Sequence, residues 1–285
     1  MTNELTDDEL REAIVRHEWD QFQRTNNEGG RAACQGNWPV FHQMRLAQFL
    51  TWERPLLTSY AADLDAADHV GRNLVTEKYG RMMASTAPEN FTKNIEPYIP
   101  RLSEERAARQ EQVIAQQVAW AKDFRERYPK LGEAMRALTT TEDTPSATSF
   151  ETYLRGELGT YSDQTFERYE AMIGERAAAS PQRNITEETL LHTVQLGGFD
   201  TLEEAEAPKR NTQPFTVYRT PRLMYVGRPH PGQRNLPIAP HPDHQRSLPA
   251  RPHLPAHIGR ITARIGPKMP VSSVWRECRA LPSRI

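Results

Sequence analysis

Three stretches carry charged side chains beside apolar stripes, where a charge must find a partner or a purpose. In GRNLVTEKYGRMM, Asn73, Glu77 and Arg81 stand four residues apart, on one face of a helix. Glu77 before Arg81 is the favourable order for a helical ion pair. SFETYLRGELGTY repeats the spacing with Glu151 and Arg155, and Tyr153 and Glu157 lie further round. In FHQMRLAQFLTW, Arg45 and Gln48 share the stripe of Phe41, Met44 and Trp52. A carboxyl whose pKa is raised by burial can act as a general base, and a guanidinium holds a carboxylate or phosphate through a planar fork. Glu77 and Glu151 are therefore the candidate catalytic groups. Arg45, Gln48, Asn73, Arg81 and Arg155 are candidate substrate-binding groups. The plain alternative for each pair is a surface salt bridge contributing ~0–1 kcal/mol. The functional reading rests on position, because a charge buried beside a core stripe needs a partner. If the helices face one another, these groups converge into one polar site inside a bundle.

A fourth stretch, TNNEGGRAACQ at residues 25–35, concentrates hydrogen-bonding capacity in one connector. Its glycine pair allows close approach of a ligand. Asn27, Glu28 and Arg31 join the candidate substrate-binding set. Cys34 would be a nucleophile only if a neighbouring base lowered its pKa; with no Cys/His signature around it, a small buried residue is the better reading. The connector is read equally well as a loop between two helices. Metal chemistry is not signalled. A carboxylate-bridged di-iron bundle needs paired Glu-x-x-His motifs, and Glu188 and His192 are four apart with no matching partner helix. There is no phosphate loop, nucleophile elbow or dinucleotide fingerprint. No metal and no cofactor are expected.

The elements that must position these groups read as helix after helix. Thr6-Asp-Asp-Glu9 is a capping box opening a helix that ends near Arg24. Asn37 caps a second, with Pro39 in its first turn. A third is expected from about Pro55 to Thr86, bent near Gly71. Pro88, Pro97 and Pro100 mark a loop, and Ser103 caps a long helix to about Tyr128. A polar loop over 139–149 precedes a helix from Phe150, whose pattern allows it to continue past Ser162, and TEETLLHTVQLGGF closes the series at a glycine pair. No strand-like alternation occurs. The expected fold is all-α, an irregular bundle of five to six core helices.

The charge is unevenly divided. Residues 208–285 hold 14 basic and 2 acidic residues, 14 of the 22 prolines and 5 of the 9 histidines. Residues 1–207 hold 22 basic and 35 acidic residues. The chain thus divides into a helical domain over 1–207 and a basic, proline-rich tail over 208–285, too poor in clustered apolar residues to offset the entropy of ordering. Two readings fit the tail. One is a disordered arm for an anionic partner; the other, favoured by its arginine-rich, lysine-poor composition, is an out-of-frame coding end and so a gene-model artefact. Nucleic-acid binding is not expected, since no aromatic stacking pattern accompanies the charge. With two cysteines, an acidic N-terminus lacking an apolar core and no long apolar run, the expectation is a cytoplasmic protein without a membrane span.

HEWDQFQRTNNEGGRAACQ, FHQMRLAQFLTW, GRNLVTEKYGRMMASTAPE and DTPSATSFETYLRGELGTYS resemble the bacterial and fungal domain-of-unknown-function family numbered 4125, over about residues 8–207. The resemblance implies no catalytic residue. Fungal relatives look like accessory proteins encoded among secondary-metabolite genes, fusaric-acid-type pathways and mycotoxin clusters included. The expected function is an accessory or tailoring protein of such a pathway, binding a small anionic or amino-acid-like substrate in an inter-helical polar pocket. The expected partners are that small-molecule ligand or pathway enzymes. The alternative is a non-catalytic helical scaffold for a biosynthetic enzyme, which predicts an exposed apolar patch and no enclosed cavity.

Overall fold

Short polar side chains at the starts of apolar stripes set the helix boundaries in the computed structural model, which describes residues 5–25, 31–179 and 181–207. The helices are α1 (Asp7–Gln23), α2 (Trp38–Phe49), α3 (Arg54–His69), α4 (Leu74–Thr86), α5 (Pro88–Asn94), α6 (Glu104–Arg127), α7 (Pro129–Ala134), α8 (Phe150–Leu158), α9 (Asp163–Ala178), α10 (Ile185–Leu196) and α11 (Leu202–Glu206). No strand occurs among the described residues, and the fold is all-α as expected. Asn27, Glu28 and the tail over 208–285 lie outside the described residues.

The caps follow the sequence closely. Thr6 Oγ1 accepts from the Glu9 amide at 3.3 Å while Glu9 Oε2 accepts from the Thr6 amide at 2.8 Å, closing the capping box. Asn37, Ser103 and Asn184 accept from first-turn amides of α2, α6 and α10. Two expected helices are each divided. The one expected over Pro55–Thr86 is α3 and α4, because Gly71 takes φ +76° and the Arg72 amide turns back onto the Ala67 carbonyl at 2.8 Å. The one from Phe150 stops at Leu158, and Ser162 caps the separate α9. The segment read as a proline loop forms α5 and a 3₁₀ turn over Glu96–Tyr98, since Pro88 and Pro97 occupy first-turn positions where a missing N–H costs nothing.

The main core joins α1, α2, α3, α6, α8 and α9 through Ile14, Phe49, Leu57, Ile114, Leu158 and Phe166. Trp52 stands edge-on to Phe49, Tyr60, Tyr161 and Tyr169, with ring centroids 5.0 to 6.1 Å apart. Arg11 and Arg176 reach the end of α2 and the turn after it, donating to the Phe49 and Thr51 carbonyls at 3.1 and 2.8 Å. The tightest helix pair is α4 against α8. A Cβ on Gly156 would lie 2.8 Å from the Lys78 carbonyl oxygen and 2.9 Å from Met82 Cγ, so only glycine permits this approach.

Candidate functional site

Four helices each bring one charge to a common point in the interior. They are Glu18 on α1, Arg45 on α2, Lys78 on α4 and Glu157 on α8, with side chains no more than 8% exposed. Arg45 Nε and Nη2 donate to the two Glu18 oxygens at 2.6 Å each, a bidentate fork. Nη1 donates to Gln48 Oε1 at 2.6 Å, and Nη1 and Nη2 also meet Glu157 at 3.3 Å. Glu157 accepts further from Gln48 Nε2 at 2.7 Å, Lys78 Nζ at 3.2 Å and the Tyr161 hydroxyl at 3.1 Å. Tyr60 donates to Glu18 at 2.7 Å. The five N–H groups of Arg45 are therefore all engaged, and the two carboxylates are balanced by two cations.

The electrostatics follow from this balance. Burial alone would raise the Glu157 carboxyl, but the charges of Arg45 and Lys78 and the Gln48 hydrogen bond overcome it and hold the pKa at about 2. Burial, the largest single influence, would lower the Lys78 ammonium, but Glu157, Tyr153 and Glu18 together outweigh it, so Lys78 sits above its ordinary value. Burial pushes the Tyr60 and Tyr161 phenols well up, and the neighbouring carboxylates push further the same way. Glu157 is thus ionised, Lys78 protonated and the phenols neutral across the physiological range.

Beside the network lies a cavity of about 290 Å³. Its walls are mostly apolar, with Phe22, Phe41, Val75, Phe150, Leu154 and Leu190 among them, and Met44 is the most exposed side chain on its lining. Gln43, Arg45, Gln48, Lys78, Gln117 and Tyr153 are among its polar lining residues. Gln117 is 3% exposed; its Oε1 accepts from the Tyr169 hydroxyl at 2.9 Å, and its Nε2 has no hydrogen-bond partner. Lys78 donates to the Tyr153 oxygen at 2.7 Å and to Glu157. One Lys78 N–H and the Tyr153 proton are left without an acceptor among the described residues. Arg136 lies over the Tyr153 ring, 4.6 Å from its centroid, and donates to the Thr148 hydroxyl at 2.9 Å.

The charged pairs named from the sequence divide on geometry. Arg45 and Gln48 belong to the network and line the cavity. The other expected groups do not converge with them, because each has a nearer partner. Glu77 is held by Arg72 at 2.7 and 2.8 Å. Arg81 donates to the Pro100 carbonyl at 2.6 Å. Asn73, rather than lying on the face of α4, is its N-cap and donates to the Gln21 carbonyl at 2.8 Å. Glu151 accepts from the Thr140 amide at 2.8 Å and from Arg155 at 2.7 Å, and Arg155 also forks onto Glu111. Burial would raise the Glu151 carboxyl, yet the Thr140 amide and Arg155 bring it below its ordinary value, the wrong direction for a general base.

In the connector, Arg31 is exposed and bonds to Gln23 and to the Gln35 carbonyl. Gln35 is buried and binds the Phe22 and Thr25 carbonyls and the Ala32 amide at 2.7 to 2.8 Å, so much of the connector's polarity closes the chain onto the end of α1. Cys34 is buried and lines the cavity.

Sequence reasoning missed Glu18, Lys78, Tyr60, Tyr153 and Glu157 as site residues. A signal was present. Glu18 lies between Ile14 and Phe22, and Lys78 between Leu74 and Met82, at i−4 and i+4. Glu157 lies between Leu154 and Tyr161. These charges occupy the middle of an apolar stripe rather than its edge.

Among the described residues no helix is long and apolar enough to cross a membrane, and no group of three or more His, Cys, Asp or Glu side chains is placed to hold a metal ion. Comparison with curated proteins and with solved structures returns no match. The profile of one family, described as "Protein of unknown function (DUF4125)", matches residues 8–207, a span that includes every helix named above except one residue of α1. On that match the chain belongs to the DUF4125 family.

Proposed function

We propose that this protein binds a small anionic or amino-acid-like molecule between its helices, as an accessory or tailoring protein of a secondary-metabolite pathway, fusaric-acid-type pathways included. The observation that carries the binding is the cavity of about 290 Å³, whose apolar walls meet the buried Gln117 Nε2 donor, which has no acceptor among the described residues. Pockets for small molecules have this composition: mostly apolar, with a few polar groups that orient the ligand. An orphaned buried donor costs roughly 1–3 kcal/mol, a cost that a bound acceptor removes. Binding is better supported than acid–base catalysis, because Glu157 and Lys78 are both held in their charged forms.

The scaffold reading is less well supported. Among the described residues the exposed large apolar side chains are Leu5, Met44, Val70 and Tyr98, on four different segments. A thermal-shift screen of a metabolite panel tests the proposal. A true ligand at a hundred times its Kd stabilises by about 2.7 kcal/mol, and Met44→Trp, which narrows the opening without touching the core, reduces that gain. A panel with no stabilising member, together with a pathway enzyme that co-purifies stoichiometrically, would favour the scaffold. The pathway assignment is tested by deleting the gene and comparing metabolite profiles; an unchanged profile removes it.

A further inference from the structure

We infer that the ligand enters this cavity by an uncharged end that carries a hydrogen-bond acceptor, and that its ionised group stays at the opening. This rests on the cavity being a ligand site and assigns which part of the ligand the interior takes.

The buried charge on the lining is already balanced. Glu18, Arg45, Lys78 and Glu157 are the charged lining side chains that are buried, two of each sign, and they bond to one another. Glu157 Oε1 accepts from Arg45, Gln48 and Tyr161, and Oε2 from Arg45 and Lys78. Glu18 takes the fork of Arg45 and the hydroxyl of Tyr60. An arriving ammonium therefore meets no open carboxylate. A carboxylate fares no better, because Arg45 has every N–H engaged and Glu157 answers the charge of Lys78. An ion of either sign gives up its water without gaining a counter-charge, and a buried charge is costly unless it is paired.

The polar groups still open are neutral ones. Gln117 is 3% exposed; its Oε1 accepts from the Tyr169 hydroxyl, and its Nε2 has no partner among the described residues. A carbonyl, ether or hydroxyl oxygen satisfies that amide donor and brings no charge with it. Gln43, Thr186 and Thr189 add an amide and two hydroxyls to the same lining, groups that donate as well as accept. They suit a neutral polar group and give neither sign of ion an advantage. Elsewhere Phe22, Val75 and Leu154 offer only carbon. Scaling from benzene in a cavity of about 150 Å³, the volume suits an end on the order of a dozen non-hydrogen atoms.

The lining also runs from solvent to a closed interior. Met44 is 38% exposed, whereas Gln117, Ile185 and Leu154 are buried. An ionised group left beside Met44 keeps its water. An anionic or amino-acid-like ligand is thus accommodated with its apolar, acceptor-bearing part inside.

Calorimetry on the full chain at neutral pH tests this with four probes of one skeleton: 3-phenylpropanamide, 3-phenylpropanoate, 3-phenylpropylammonium and N-(3-phenylpropanoyl)glycinate. The amide is expected to bind at least about tenfold more tightly than either simple ion. The acylglycinate keeps the amide carbonyl and carries its carboxylate further out, so it is expected to bind within about threefold of the amide. Gln117→Leu is expected to weaken the amide roughly tenfold and the simple ions less. That variant also removes the acceptor of Tyr169, so if it does not fold, the ranking of the probes on the native chain decides alone. A simple ion that equals the amide, with both weakened by Met44→Trp, overturns the inference and leaves the cavity reading standing. An acylglycinate as weak as the simple acid overturns the placement of the charge at the opening. No binding of any probe at millimolar concentration overturns the cavity reading itself.

Discussion

Arg45 and Arg155 look alike in the sequence, each beside an apolar helical stripe, yet their surroundings assign them different weights. Arg45 is 7% exposed and neutralises two buried carboxylates, whereas Arg155 is 34% exposed and pairs with Glu111 and Glu151 near solvent. Removing one partner of a buried pair costs roughly 3–5 kcal/mol, and an exposed pair contributes about 1 kcal/mol or less. Urea denaturation is expected to show Arg45→Ala losing most of the stability and Arg155→Ala little; equal losses would refute the distinction. Glu157 adds a pH signature. Its carboxyl is held at about 2, below the ordinary unfolded value of about 4.3, so the unfolded chain binds the proton more readily between the two. The stabilisation is complete above the unfolded value and is lost as pH falls towards 2. Its size is on the order of 3 kcal/mol. Glu157→Gln is expected to be less stable at neutral pH and to show a shallower loss of stability in acid, measured as unfolding midpoints across that window.

At the scale of elements, the network depends on how closely α4 and α8 approach. Gly156 has Lys78 and Met82 against it, while Gly174, inside α9, has open space around it. Gly156→Ala is expected to cost roughly 1–3 kcal/mol through overpacking and to move Lys78 relative to Glu157. Gly174→Ala is expected to be neutral or to stabilise by up to about 1 kcal/mol, as alanine does in a helix interior. Thermal unfolding of the two variants decides the matter, and the same loss in both would mean that the α4–α8 contact is not what Gly156 protects. Helix starts were legible beforehand because capping is local: Thr6, Asn37 and Ser103 announce their roles within three residues. Gly71 was visible as a bend, but only its positive φ makes it a full break. The site was half legible for a related reason. Arg45 and Gln48 sit beside a stripe, so burial could be inferred, but Glu77 and Glu151 have partners five and four residues away that spacing alone cannot rank against distant ones. The charges that do converge lie inside apolar stripes, where a reading of stripe edges passes over them.

At the scale of the molecule, the last described helix ends at Glu206, and the family profile ends at residue 207. Removing 208–285 is therefore expected to shift the melting temperature by no more than about 3 °C, the change that ~1 kcal/mol makes in a domain of this size; a larger fall in a differential scan would mean that the tail contributes to the folded body. The network also links distant parts of the chain, since Arg45 meets carboxylates 27 and 112 residues away. This has a consequence for inheritance. Losing any one of Glu18, Arg45, Lys78 or Glu157 strands an opposite charge in the interior, whereas exchanging the set for apolar residues of similar volume is tolerable. The four positions behave as a single heritable character, so a diverging lineage is expected to retain the quartet intact or to have replaced it entirely, with few surviving intermediates.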